Sequence, residues 1–103
     1  MQKVIALYDL KKGITVKEYR DWLLSVEMNI TSNLSDIKSF EVLEVKGKDG
    51  YGKSYSIIED FTVESYEIWK KAMESDAMKE VSSTWGDYAD ESTLKILYGE
   101  IIK

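Results

Sequence analysis

The order in which two hydrophobic periodicities alternate is the feature of this 103-residue sequence that most restricts its fold. Apolar residues recur at every second position, as in β-strands, in Val4–Leu10, Ile37–Val45, Ser54–Phe61 and Thr93–Ile102. They recur every three or four residues, as in helices, in Val16–Leu34 and Val63–Tyr88. The resulting order, β-α-β-β-α-β, predicts one α+β domain over residues 1–103, with helices on one face of a four-stranded antiparallel sheet.

This order is that of a ferredoxin-like sandwich, but both faces of its strands are apolar. In the first strand one face carries Val4, Ala6, Tyr8 and Leu10, and the other carries Ile5, Leu7 and Asp9. A two-layer monomer would leave one sheet face in water, where polar residues are expected. We therefore expect a homodimer through the open sheet face, with on the order of 1,500 Å² buried in total. An aspartate at Leu97 or at Ile96, whichever faces the partner, should split this dimer.

The sequence contains neither histidine nor cysteine. Thiolate nucleophiles, cysteine metal sites, imidazole metal sites, catalytic triads that use histidine and haem ligation by histidine are therefore excluded. A general base has to be Asp, Glu, Tyr or Lys. We expect no metal site and no bound cofactor.

The charge and hydropathy of the chain restrict its partners and location. The formal net charge is −5, and no basic stripe is interleaved with aromatic residues, so a nucleic-acid partner is not expected. No apolar run approaches the roughly 20 residues that span a bilayer. The start of the chain leads directly into a strand and shows no signal peptide, which favours a cytoplasmic location.

Local signals mark the helix ends. Thr15 and Glu18 form a capping box before the first helix, whose apolar stripe is Tyr19, Trp22, Leu23, Val26, Ile30 and Leu34. Thr62 is expected to cap the second helix, and Ser75 to cap a short further helix after a break. Gly86 is expected to end that piece.

Glu27 is the first candidate for chemistry. It follows Val26 directly and Leu23 by four residues, which places it on the flank of the stripe. A carboxyl group there can be half buried and can have a raised pKa, which suits proton transfer. The alternative is a boundary glutamate that reaches water past the helix edge. Glu59 and Asp60 alternate across the third strand, so they cannot share a proton on one face, and we interpret them as a feature of the sheet edge.

Aromatic residues are the candidates for ligand contact. Trp85 lies at the end of a short helix, where an indole can stack on a flat ligand or donate its N–H. Trp22 belongs either to the core or to the pocket wall. Tyr8 and Tyr55 lie in strands, and their hydroxyl groups need partners if they are buried, either in a small pocket or in the dimer interface.

The whole chain resembles the dimeric α+β barrel superfamily and, within it, the REDY-like (HapK-type) proteins linked to prodiginine pigment biosynthesis. The stretches that carry the resemblance are Val4–Leu10, Thr15–Glu27, Ile37–Val45, Asp60–Trp69, Trp85–Ala89 and Leu94–Ile101. The resemblance implies two sheets packed face to face and a small-molecule cleft between the helices and the sheet of each subunit. Many relatives carry a histidine near the position of Glu27, and others carry a tryptophan that Trp85 would match. The missing histidine argues against haem degradation and histidine-based monooxygenation.

We therefore expect a protein of secondary metabolism that binds a flat apolar or aromatic molecule in a cleft. As an enzyme it would work without a cofactor, by condensation, cyclisation or oxygenation, with Glu27 as acid and base. The alternative is a non-catalytic ligand-binding or stress-response module of the same fold, because fold alone does not decide function.

Overall fold

A computed structural model describes all 103 residues. The strands are β1 (Gln2–Leu10), β2 (Ser39–Glu44), β3 (Ile57–Val63) and β4 (Ala89–Glu100). The first helical region is α1 (Val16–Trp22), a π-helical segment (Leu23–Glu27) and α2 (Met28–Thr31). The second is α3 (Tyr66–Met73), a 3₁₀ turn (Asp76–Met78) and α4 (Lys79–Trp85).

The four strands form one antiparallel sheet in the order β2-β3-β1-β4, and the predicted ferredoxin-like fold is confirmed. Val4, Ala6 and Tyr8 of β1 point to the helices and are buried. Cross-strand partners share a face, so Ile96 and Tyr98 of β4, which pair with Ala6 and Val4, also lie on the helix side.

The opposite sheet face is open and apolar at its centre. Five apolar side chains lie on it: Ile5, Leu7, Leu43, Ile58 and Leu97. They form two cross-strand rows, since Leu7 and Leu43 both pair with Ile58, and Ile5 pairs with Leu97. Leu97 is 62% exposed and Leu43 is 46% exposed. Of the two positions considered for the dimer, Leu97 therefore lies on the open face, whereas Ile96 faces the helices.

A π-helical segment shifts the buried stripe of the first helical region by one position. The Thr15 capping box is present, and Tyr19 and Trp22 are buried as predicted. After the segment, however, Glu27 and Thr31 are buried, whereas Val26 and Ile30 are only partly buried. A π turn holds one residue more than an α-helical turn, so every later residue is rotated out of the regular helical phase.

The second helical region begins later than predicted and breaks where predicted. Thr62 does not cap a helix, because β3 continues to Val63 and the Thr62 hydroxyl oxygen accepts a hydrogen bond from Ser39 Oγ at 2.8 Å. Ser65 is the cap instead, since its Oγ accepts from the Ile68 amide. The helix breaks after Met73, and the 3₁₀ turn follows Ser75. The predicted Ser75 cap is wrong, because the Ser75 hydroxyl donates back to the Ala72 carbonyl and accepts no amide of the turn.

Two groups of buried side chains fill the space between helices and sheet. The larger is centred on Tyr8, Tyr19 and Trp22, and the smaller on Phe61 and Trp69. None of the helices is long and apolar enough to cross a membrane. No group of three or more acidic residues is arranged to hold a metal ion.

Candidate functional site

A cavity of about 240 Å³ lies between the helices and the sheet. It is bounded by Ala6 and Tyr8 of β1, Glu59 and Phe61 of β3, Leu94 and Ile96 of β4, Glu27, Thr31, Trp69, Met73, Met78, Val81, Ser82 and Trp85. Ten of these fourteen residues are hydrophobic, and none is basic. The cavity is small for a ligand pocket, which suits a compact apolar molecule.

Two carboxyl groups meet in the wall of this cavity. Glu27 comes from the π-helical segment and is 4% exposed, and Glu59 comes from the centre of β3 and is 6% exposed. Alternate residues of a strand face the same side of the sheet, so Glu59 points inward like Ile57 and Phe61, which are buried. Glu27 points inward because the π-helical segment that precedes α2 rotates it away from the regular helical position. The two glutamates lie side by side and interact directly.

Two tyrosine hydroxyls support the carboxyl pair from the side of β1 and α1. The Tyr8 hydroxyl donates to Glu59 Oε2. The Tyr19 hydroxyl lies 2.6 Å from the Tyr8 hydroxyl. Burial raises the pKa of both tyrosines above the usual value, and the nearby negative charge of Glu59 raises it further. Both phenols are therefore neutral donors at pH 7, and their hydrogen bonds run toward Glu59.

Burial also raises the pKa of both glutamates. The pKa of Glu59 rises to about 7, and the hydrogen bonds that Glu59 receives from Tyr8 and Glu27 oppose this rise. The pKa of Glu27 is raised well above its usual value, first by burial and then by the charge of Glu59. The raised pKa values of both glutamates mean that the pair holds at least one proton up to about neutral pH. Glu27 Oε1 is buried and accepts no hydrogen bond from any amide, hydroxyl or cationic group.

Aromatic rings form the walls around the pair. Trp85 packs edge-on against Tyr8, with ring centroids 5.1 Å apart. Trp69 packs edge-on against Phe61 at 5.5 Å, and its buried Nε1 has no acceptor. The cavity thus offers flat apolar surfaces beside a proton-carrying acidic pair.

The structure places three of the five predicted site residues at one cavity, namely Glu27, Tyr8 and Trp85. Trp22 lies elsewhere, in the core, where its Nε1 donates to Thr84 Oγ1 at 2.8 Å and its ring stacks on Tyr88. Tyr55 lies at the base of the hairpin loop, with Lys53 Nζ 4.7 Å from its ring centre. Neither residue borders the cavity.

Glu59 is the residue that the sequence interpretation missed. Its separation from Asp60 across the sheet is as predicted, since Asp60 lies on the open face and pairs with Lys3 at 3.2 Å. The partner of Glu59 is instead Glu27, from a helix. The available signal was the parity of Glu59 with Ile57, Phe61 and Val63, which marks a carboxyl group on the buried face.

Comparison with known proteins finds one family model and several solved structures of similar fold. The family model described as REDY-like protein HapK matches residues 2–101. HapK from Hahella chejuensis has a TM-score of 0.79 at 16% identity, covering 99% of this chain and 93% of that one. A dimeric protein of ferredoxin-like fold from Bacteroides fragilis has a TM-score of 0.69 at 16% identity, covering 97% and 95%. A hydroxynitrile lyase from Passiflora edulis has a TM-score of 0.75 at 12% identity, covering 99% and 94%. No curated protein matches.

Proposed function

This chain belongs to the REDY-like HapK family, and from that premise and the cavity we propose that it binds a small, flat, largely apolar molecule of secondary metabolism. The observation that carries the proposal is the buried Glu27–Glu59 pair in a cavity walled by aromatic rings. A buried carboxyl pair without a counter-ion is costly for stability, so its position in a cavity suggests a functional use. The cytoplasmic location stays a prediction.

We propose that the pair acts as acid and base. With one proton between two carboxyl groups, it can take a proton from a bound molecule and return one at another atom. A pKa near neutrality makes both steps accessible at physiological pH. Such proton transfer would serve a condensation or cyclisation that needs no cofactor, and the hydroxynitrile lyase shares the fold in which it would occur.

The second candidate is a binding module that performs no reaction. It is favoured by the fact that both tyrosine hydroxyls and Glu59 already satisfy one another, as they would in a purely structural network. The two candidates differ in what Glu27 does, because a binding module needs the shape of this side chain and an enzyme needs its proton.

The test begins with the molecule that the protein carries. Protein purified from its native host is denatured, and the released small molecules are identified by mass spectrometry. The captured compound is then incubated with the wild type, with Glu27→Gln and with the exposed control Glu67→Gln. Conversion by the wild type and by Glu67→Gln, but not by Glu27→Gln, supports the enzyme. Binding without conversion supports the module, and absence of any aromatic or apolar compound from the cavity argues against both.

We also propose that two copies of the chain associate through the open sheet face. The molecule measures 34 × 34 × 20 Å, so its broad face offers on the order of 1,000 Å², whereas a stable interface needs about 800 Å² per partner. Five apolar side chains occupy the centre of this face, and the Lys3–Asp60 ion pair lies beside them. The relative from Bacteroides fragilis is dimeric.

Leu97→Asp should convert the dimer to a monomer, because it places a charge within the proposed apolar interface. Leu24→Asp is the matched control, since Leu24 is 58% exposed and lies on the helical layer away from the sheet. Sedimentation velocity at micromolar concentration measures both. A wild-type monomer, or equal dissociation of both variants, would contradict this arrangement.

A further inference from the structure

The cavity contains two acidic side chains and no cation to balance them. Its polar atoms come from Glu27, Glu59, Tyr8, Thr31 and Ser82, apart from the indole nitrogens, and none of these groups is cationic. Thr31 Oγ1 already points to Met78 Sδ at 3.6 Å, so it does not serve the carboxyl groups. Each Lys and Arg of the chain lies outside the cavity lining.

Resting on the function proposed above, we propose that the ligand is a flat apolar molecule with one cationic nitrogen that pairs with Glu27 and Glu59. Both carboxyl groups belong to the cavity lining, and Glu27 Oε1 is buried without a hydrogen-bond partner, so the pair keeps acceptor capacity for that nitrogen. A cationic N–H bonded to a carboxylate is about twice as strong as a neutral hydrogen bond. An anionic ligand would instead meet two acidic groups and no base.

The side chains around Glu27 and Glu59 leave the negative charge of this pair facing the cavity. On the β1 and α1 side, Tyr8 and Tyr19 donate toward Glu59, so the remaining acceptor capacity of the pair faces the ligand. On the β4 side, Leu94 and Ile96 are apolar. On the α4 side, the lining includes Ser82, whose hydroxyl group carries no charge. The titrating groups that surround the ligand nitrogen are thus the two glutamates and the two phenols.

Binding of a cation should therefore be linked to loss of a proton. Below the pKa of Glu59 both carboxyl groups are protonated, and a cationic ligand binds better once one of these protons has left. The affinity for a cationic ligand therefore rises with pH up to the pKa of Glu59 and then stays constant. A neutral ligand of the same shape has no such dependence, and an anionic one shows the opposite sign.

Three probes with one naphthalene ring system test this inference: 1-naphthylmethylamine, 1-naphthylmethanol and 1-naphthylacetate. Their affinities are measured by NMR titration of the ¹⁵N-labelled protein at about pH 6 and about pH 8. We expect the amine to bind at least tenfold more tightly than the acetate at the higher pH, with the alcohol between them. The affinity of the amine should increase severalfold from the lower to the higher pH, and that of the alcohol should not change.

Glu59→Gln should remove most of the preference for the amine, because burial favours the neutral form of the remaining Glu27, whereas Glu67→Gln, on the exposed face of α3, should keep it. The pH dependence of the wild type gives an independent result if Glu59→Gln does not fold. Equal affinity for all three probes overturns the inference but leaves the function proposed above intact. Tighter binding of the acetate also overturns it. Failure of all three probes to perturb cavity residues contradicts both proposals.

Discussion

The buried carboxyl pair should make the folded protein less stable as pH rises, and Glu59→Gln should remove the part of this effect that comes from Glu59. The pKa of Glu59 is about 7 in the folded state, whereas the ordinary pKa of a glutamate is 4.5. Because the folded state holds the proton more tightly, stability is greatest below the ordinary pKa and falls as pH rises through the folded one. At about 1.4 kcal/mol per pKa unit, the loss amounts to about 3 kcal/mol, most of it between about pH 5 and pH 8.

The assay is urea unfolding at several pH values, with one protein concentration throughout because association contributes to stability. The free energy of unfolding of wild type minus that of Glu59→Gln should fall by about 2 to 3 kcal/mol across this range. The general effect of net charge is nearly the same in both proteins and cancels in the difference. Glu67→Gln should run parallel to the wild type. Parallel curves for wild type and Glu59→Gln would show that Glu59 does not titrate with a raised pKa, and the proton-sharing pair would then be wrong.

Three further substitutions probe separate parts of the molecule. Tyr8→Phe removes the hydroxyl that donates to the buried carboxylate, and it should lower the free energy of unfolding by about 1 to 3 kcal/mol in urea titrations; an unchanged value would mean that this bond contributes nothing. Trp85→Ala should weaken binding of 1-naphthylmethanol about tenfold, or ~1.4 kcal/mol, with an unchanged far-ultraviolet circular dichroism spectrum; unaltered affinity would place the ligand away from this indole. Thr15→Ala should lower the thermal midpoint, because loss of the capping box costs about 1 kcal/mol; no shift would contradict the cap.

The fold could be predicted from the sequence because its signals are local and agree with one another. Strand parity, helical spacing, the Thr15 cap and the break at Ser75 each depend on neighbouring residues. The start of the second helix was placed wrongly at Thr62, because Thr62 and Ser65 are equally good caps by residue type. Only the pairing of β3 with β1, through Lys3 and Thr62, decides that the strand continues.

The candidate site was predicted in part, since its members come from elements that are distant in the sequence. Glu27, Tyr8 and Trp85 were identified by residue type and position, and they lie around one cavity. Trp22 and Tyr55 have the same chemical character, but the packing of Tyr88 on Trp22 and the position of Lys53 at Tyr55 keep them elsewhere. The pairing of a strand carboxyl group with a helix carboxyl group is a tertiary contact that no spacing rule reveals.

The π-helical segment Leu23–Glu27 has a consequence for how this sequence is aligned with those of related proteins. This segment contains one residue more than an α-helical turn. The buried side chains before and after it keep their positions only because the extra residue is accommodated within the segment. A relative with a regular helix would present the same interior with one residue fewer. An alignment therefore needs a one-residue gap between Trp22 and Glu27. Without that gap, Val26 would be matched to the cavity-facing position, and the acidic residue would be compared with the wrong column.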